Sequence, residues 1–364
     1  MMAGLNVTTK KIRSMMRPYE SPRHAVVAFW LQDGEVTYFQ SGPQIAEASH
    51  EEWIFEIASI TKVFTAILLC RLIEEGKIDP KAPVREMSEV LADVPDWITP
   101  ERLTSHTSGL PNYYLPLWKA FLRKTPDGPY ADFSRADLLA WFRQRGGRSA
   151  AQLLRHHYSN LGVGLLGEAM AIMQGQSFSD LLAAKVTDPL GLQDTKDRLS
   201  EAQENRFAQP RATNGKAVSP WIFQSLAAAG CLRSSARDLA AFAKAVIRAL
   251  RTPQTTLDHA IVRSTIPILG LGRKGAKVPI AQCSGWLRVT MDQQMPGYIF
   301  HNGGTAGSSC ALHISPKRHT AFGILSNNGV AGNLWGATKL NWSNPMQKAH
   351  GLLALDPTAS TKPR

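Results

Sequence analysis

The sequence predicts an α/β fold joined to a mostly helical part. One antiparallel sheet, flanked by helices, is built from both ends of the chain, and a helical domain is inserted between its halves. Three observations lead there. β-rich runs occupy residues 24–42 and return after residue 278. Residues from about 80 to 225 carry helical periodicity and loops, with few strand candidates. Short turn signals join the terminal runs, and strands joined that way pair antiparallel. The expected division is 1–80 with 226–364 for the sheet-bearing domain and 81–225 for the inserted helical domain. A pocket is expected in the seam between them.

Each element has its own signal. In HAVVAFWLQDGEVTYFQSG, residues 24–42, Asp33-Gly34 separates two strands as a hairpin turn. FEIASITKVFTAILLCRLIEEGK, residues 55–77, is an apolar helix that stops at Gly76, with Pro80 beyond it. ADLLAWFRQR and LGVGLLGEAMAIMQG read as helices of the middle region. GCLRSSARDLAAFAKAVIRAL reads as another helix, with Ser234 or Ser235 as its N-cap. VPIAQCSGWLRVTM and GYIFHNGG read as strands, and SSCALHISPKRHTAFGILSNN as a hairpin turning at Pro316-Lys317-Arg318. The tail LDPTASTKPR is polar and expected to fray.

Composition narrows the function classes. With 44% hydrophobic and 19% charged residues over 364 positions, the chain is globular rather than disordered or fibrous. The formal charge of +12 favours anionic partners in general, but the basic residues are scattered, so no nucleic-acid-binding tail is expected. Cys70, Cys231, Cys283 and Cys310 form no C-x-x-C pair and sit in apolar contexts, as buried free thiols do. No apolar run has the length of a membrane span, and the first residues lack the apolar core of a secretory signal, so a soluble cytoplasmic protein is expected. GLGRKGAK lacks the G-K-[ST] ending of a phosphate loop, and no G-x-S-x-G or H-E-x-x-H occurs. His156-His157 point different ways on any regular element, which disfavours a metal site. His106 reads as a structural loop residue and Trp221 as core. No metal and no organic cofactor is expected.

Three short patterns carry the chemistry. Ser59 and Lys62 lie three apart at a helix start, on one face. A serine hydroxyl needs a base, and a lysine amine serves if its surroundings lower its pKa. The helix N-terminus adds positive potential that helps keep Lys62 neutral. Tyr158-Ser159-Asn160 supplies a phenol that can move a proton if cations lower its pKa. It also supplies an amide that can bind a substrate carbonyl and orient the lysine. His301-Asn302-Gly303-Gly304 ends a strand with glycines, where a substrate can lie against the backbone. Taken singly, each has an ordinary structural explanation: a cap, a core-rim tyrosine, a β-turn. S-x-x-K, Y-x-N and H-x-G each occur once, in that order.

In this set the sequence resembles the class C β-lactamase-related serine hydrolases, a group that includes serine DD-carboxypeptidases, β-lactamase-like esterases and some acyltransferases. The likeness spans about residues 24–330 and includes LTSHTSGLP, YSNLGVGLLGEAM and HNGGTAGSSCALHISPKRHTAFGILSNN. It implies the β-lactamase/transpeptidase-like fold. It also implies an acylated nucleophile at Ser59, a base or relay at Lys62, a second proton carrier at Tyr158 and a substrate-orienting Asn160. His301 takes the place where many relatives have lysine, next to the pocket on the edge strand. Gly303 and Gly304 border the substrate, and the N–H groups of Ser59 and Gly304 form an oxyanion hole. Which of Lys62 and Tyr158 is the base stays open, since the two would titrate together.

The third motif is H-N-G where lactamases have K-T-G. A histidine mostly neutral near pH 7 suits a carboxylate-bearing substrate less than a permanent lysine charge does. The expected activity is therefore a serine hydrolase acting through acyl-Ser59 on a small ester, amide or short peptide. The alternatives are an acyltransferase using the same acyl-enzyme, a D-amino-acid peptidase or β-lactamase, and, disfavoured by the intact Ser59, Lys62 and Tyr158 set, a non-catalytic binding protein. Oligomeric state is not readable.

Overall fold

The structure, a computed structural model, describes residues 2–115, 127–145, 155–272, 279–290 and 297–332. The tail at 355–364, the basic part of GLGRKGAK at 273–277 and the leucines of LLRHH lie outside these residues.

The sheet is assembled from both ends of the chain. The N-terminal hairpin is β1 (Val26–Gln32) and β2 (Glu35–Ser41), turning through Asp33 at φ 50° and Gly34 at φ 91°. That double left-handed turn matches the twist of its strands. A short β3 (Ile54–Glu56) pairs with β4 (Arg233–Ser235) in a separate two-stranded sheet. Toward the C-terminus come β5 (Leu269–Gly270), β6 (Ile280–Gln282), β7 (Leu287–Val289), β8 (Tyr298–Gly304), β9 (Ser309–Ser315) and β10 (Thr320–Ser326). The eight-stranded order is β2-β1-β10-β9-β8-β7-β6-β5, antiparallel at every pairing, so the first hairpin docks directly on the last strand.

Helices cover both faces. Along β1, Val27, Phe29 and Leu31 join one apolar cluster while Val26, Ala28 and Trp30 join another, the period-two alternation of a sheet buried on both sides. The second cluster is closed by α1 (Met2–Met16) through Ile12, Met15 and Met16, with Tyr19 just beyond. Their i, i+3, i+4, i+7 spacing was a readable helix stripe, although nothing else in the N-terminal segment called for one. The first cluster holds α2 (Thr61–Glu74), α3 (Arg135–Arg145), α4 (Asn160–Gln174), α5 (Ala236–Arg251) and α6 (Thr256–Ser264).

Two strand and helix assignments shift. The run expected as one strand in VPIAQCSGWLRVTM is two, because Cys283–Trp286 turn between β6 and β7. The helix expected over 55–77 begins only at Thr61, because Ile54–Glu56 pair with β4 and Ala58–Ile60 form a 3-10 turn, whereas the helix in GCLRSSARDLAAFAKAVIRAL begins at Ala236 with Ser235 as its cap, as expected.

Central to the fold is α2, buried on nearly every side from Thr61 to Leu72. A helix apolar all round belongs in an interior. Phe64 stacks on Phe242 of α5 at 4.5 Å, and Phe242 stacks in turn on Trp286. Gly285, at φ 71°, brings the β6–β7 turn against the backbone of Lys62, where a Cβ would clash. On another flank, Gly164 and Gly167 of α4 leave room for Leu226 and Ala228. The glycines of LGVGLLG thus seat the segment 226–229 between α4 and α2. Among the described residues no helix is long and apolar enough to cross a membrane.

Phe64→Ala is expected to remove about 3–5 kcal/mol of stability, because it empties a fully buried aromatic site. Urea unfolding checks this: the midpoint should fall with the slope unchanged.

Candidate active site

The nucleophile candidate sits on a tight, unusual turn. After β3, Ile57 N donates to Leu232 O at 3.0 Å and Ile60 N returns to Ile57 O at 3.0 Å. Ala58, between them, holds φ at 44°, a left-handed value that a residue with a Cβ adopts only under constraint. Ser59 follows in a 3-10 turn, Ala58–Ile60, that runs straight into α2. It is half-buried, so its hydroxyl stays accessible.

Lys62, one turn later, is 2% exposed. Its Nζ lies 3.0 Å from Ser59 Oγ and 2.5 Å from Ala229 O. Burial pushes its pKa well below the ordinary lysine value, since the charged form is robbed of water.

Tyr158 completes the group from the opposite side. Its hydroxyl donates to Ser59 Oγ at 2.8 Å, and its ring lies 5.0 Å from Lys62 Nζ. Cations were expected to lower the phenol's pKa. Burial instead raises it, and the bond to Ser59 offsets only part of that. The loop at 103–111 cradles the tyrosine. His106 packs its ring 4.5 Å from that of Tyr158, and its Nδ1 accepts from Ser159 N at 3.2 Å. The proton of this neutral imidazole is therefore on Nε2. His157 N donates to His106 O, and Ser159 Oγ to Pro111 O. The two adjacent histidines diverge as expected, His156 to Gln282 and His157 to Leu110 O.

β8 forms the third side. Gly303 is where it presses closest: a Cβ there would meet Ile57 O and lie 3.0 Å from Ser59 N. Only glycine lets this strand lie against the nucleophile turn. β8 is not the edge strand expected for His301. It lies between β9 and β7, but β7 is three residues long and its pairing ends at Phe300. From His301 to Gly304 the outer side of the strand has no β7 partner, which makes a local edge. His301 is buried, its Nδ1 donates to Asn302 O at 2.7 Å, and burial beside Lys62 pushes its pKa down to about 3. It is neutral at physiological pH and presents Nε2 as an acceptor.

Asn160 departs from expectation. Its Nδ2 donates to Tyr130 hydroxyl at 2.9 Å, while Lys62 Nζ donates to Ser59 Oγ and Ala229 O. The amide therefore does not orient the lysine. Its Oδ1 is buried and has no partner among the described residues, so the open group is an acceptor rather than the donor a substrate carbonyl needs.

Residues 10–334 match the family model described as Beta-lactamase. The chain belongs to the β-lactamase family. Over 296 residues it is 25% identical to "Penicillin-binding protein 4" of Amycolatopsis lactamdurans, covering 76% of this chain and 73% of that one. Over 294 residues it is 25% identical to "D-alanyl-D-alanine-carboxypeptidase/endopeptidase AmpH" of Escherichia coli strain K12, covering 76% and 71%. A class C β-lactamase from Rhodobacter sphaeroides superimposes with a TM-score of 0.73 over 96% of this chain and 98% of that chain, at 18% identity, a likeness of fold. This chain is thus a β-lactamase-family serine hydrolase with the β-lactamase/transpeptidase-like fold.

Some partners in this β-lactamase-family site had no signal of their own in the sequence. Ala229 contributes a backbone carbonyl, which any residue could supply. His106 braces Tyr158 from a loop fifty residues away. Cys310 Sγ, from β9, reaches Ile57 O at 3.0 Å beneath the nucleophile turn. Among the described residues, no group of three or more His, Cys, Asp or Glu side chains is placed to hold a metal ion.

Gly303→Ala is expected to slow Ser59 labelling by a fluorophosphonate at least about 10-fold, because the added methyl meets backbone and displaces β8 from the nucleophile turn. Mass spectrometry of timed samples measures this.

Proposed function

We propose that this protein transfers the acyl group of a small ester or amide to Ser59 and releases it to water. The observation that carries this reading is the position of Ser59 Oγ, held at once by Lys62 Nζ at 3.0 Å and Tyr158 hydroxyl at 2.8 Å.

Counting protons favours one resting state. Burial holds Lys62 toward the free amine and Tyr158 toward the neutral phenol. The phenol then donates to Ser59 Oγ, Ser59 donates its own hydrogen to the lone pair of Lys62, and Lys62 donates to Ala229 O. This places both hydroxyl protons and one of the two amine hydrogens. In the reaction Ser59 Oγ attacks the carbonyl carbon as its proton passes to Lys62. The N–H groups of Ser59 and Gly304 would meet the oxyanion, where preorganised donors act most strongly. Tyr158 gives its proton to the departing oxygen or nitrogen, and the proton on Lys62 restores the phenol. Water then repeats the sequence in reverse on the acyl-enzyme.

The substrate we infer is neutral near the His301 side of the carbonyl. A carboxylate there would face the Nε2 lone pair of a neutral imidazole rather than a fixed positive charge. A second reading, a peptidase acting on a D-amino-acid terminus, draws on the name of one relative, the D-alanyl-D-alanine-carboxypeptidase/endopeptidase AmpH.

Reaction with a fluorophosphonate is expected to add one adduct at Ser59, absent in Ser59→Ala. Labelling elsewhere, or none, overturns the mechanism. In a substrate screen, short-chain esters should exceed nitrocefin and D-Ala-D-Ala peptides in kcat/KM; fast nitrocefin turnover would refute the His301 argument.

Tyr158→Phe and Lys62→Met are each expected to lower kcat by about 10²–10⁴-fold, the usual worth of a positioned proton carrier. The pH profile follows from the sign of the lysine shift. The base must be neutral, and burial lowers its pKa well below 10.5, so kcat/KM should rise with pH through that lowered value and level off well short of pH 10.5. A profile still rising steeply toward pH 10 would contradict a buried neutral lysine.

A further inference from the structure

Three residues before Ser59, at the end of β3, lies a carboxylate that the mechanism does not use. Glu56 is 4% exposed, and burial raises its pKa above the usual carboxylate range. A buried carboxyl is costly unless its oxygens are fully occupied. Both are. Oε1 accepts from Trp221 N at 2.7 Å, and Oε2 accepts from Thr305 Oγ1 at 2.6 Å.

The two donors stand on separate loops that flank Ser59. Thr305 follows Gly304 directly and begins the turn between β8 and β9. Its Oγ1 accepts from Gly307 N at 3.2 Å and from Ser308 N at 3.0 Å, and Thr305 N donates to Ser308 O. With both lone pairs taken, the hydroxyl has one proton left to give, and Glu56 is its acceptor. Trp221 starts the loop that carries Phe223. The ring of Phe223 lies over Gly230, whose would-be Cβ comes within 3.8 Å of Ala58. One side chain therefore ties the β8 end and the aromatic loop to the strand that delivers the nucleophile.

We propose that Glu56 is a positioning residue that fixes the Gly303–Gly304 end of β8 relative to Ser59. It acts through Thr305 on the backbone N–H of Gly304 and touches no substrate. The arrangement requires a group with two acceptors and no donor. A glutamine keeps the shape but turns an N–H₂ toward either the Trp221 N–H or a Thr305 oxygen with no free lone pair. This role rests on the acyl-Ser59 reading.

The test measures the rate at which a fluorophosphonate adds to Ser59, followed by mass spectrometry, with circular dichroism melting on the same samples. Glu56→Gln should slow labelling by about 10- to 100-fold, the range expected when reacting groups are displaced by an ångström or less. Thr305→Val, which removes the hydroxyl but keeps the branching, should slow it comparably. The double variant should be no slower than the slower single, because both break one link. Thr305→Ser, which keeps the hydroxyl, should restore the rate to within about threefold of wild type. Equal labelling of Glu56→Gln and wild type overturns the proposal. So do losses that multiply in the double variant, or a labelling loss that merely follows the unfolded fraction. If wild-type Ser59 takes no adduct at all, it is the acyl-Ser59 reading that fails.

Discussion

The desolvated amine of Lys62 is the interaction on which the rest of the site depends. Its Nζ bonds to Ser59 Oγ and Ala229 O, and so deep a burial demands that a polar group be given such partners. The fold meets that demand with small residues. Gly285 lets the β6–β7 turn close over the lysine's backbone, and Gly164 and Gly167 let α4 press the 226–229 segment inward until Ala229 O reaches the amine. The apolar body of α2, stacked through Phe64 on α5, keeps water out.

Around this amine the site is built from neutral groups. Burial works against the charged form of each: it lowers the pKa of Lys62, His301 and His106 and raises that of the Tyr158 phenol. Charge then appears only when Ser59 is engaged, and backbone N–H groups are the natural place for it. On the function proposed here, a site organised in this way gains little from a substrate that arrives charged. That is the physical sense of a histidine standing in the H-N-G motif.

Much of the fold was legible because its signals are local. Asp33-Gly34 specified a left-handed turn, alternation marked β1, and a glycine and a proline marked the end of α2. Ser59 and Lys62 were legible because helical spacing alone puts them on one face. Other features depended on partners distant in the chain. The strand break at Cys283–Trp286 is set by the close approach of Gly285 to α2, and the local edge at His301 by the shortness of β7. The partner of Asn160 was likewise unreadable, since its amide N–H meets Tyr130, thirty residues earlier in the chain.

By itself the sequence determined which groups could react and the order in which they come: a serine with a lysine one turn away, a tyrosine ahead of a glycine-rich helix, a histidine ahead of two glycines. Residue type and short-range periodicity are properties of the chain, so they need no fold to be read. Only the tertiary structure decided that Ser59 Oγ lies between Lys62 and Tyr158, that burial works against the charged form of both, and that Glu56 bonds to Trp221 N and Thr305 at once. Those facts are distances and solvation, and they exist only once α2, α4 and β8 have excluded water from the space they share.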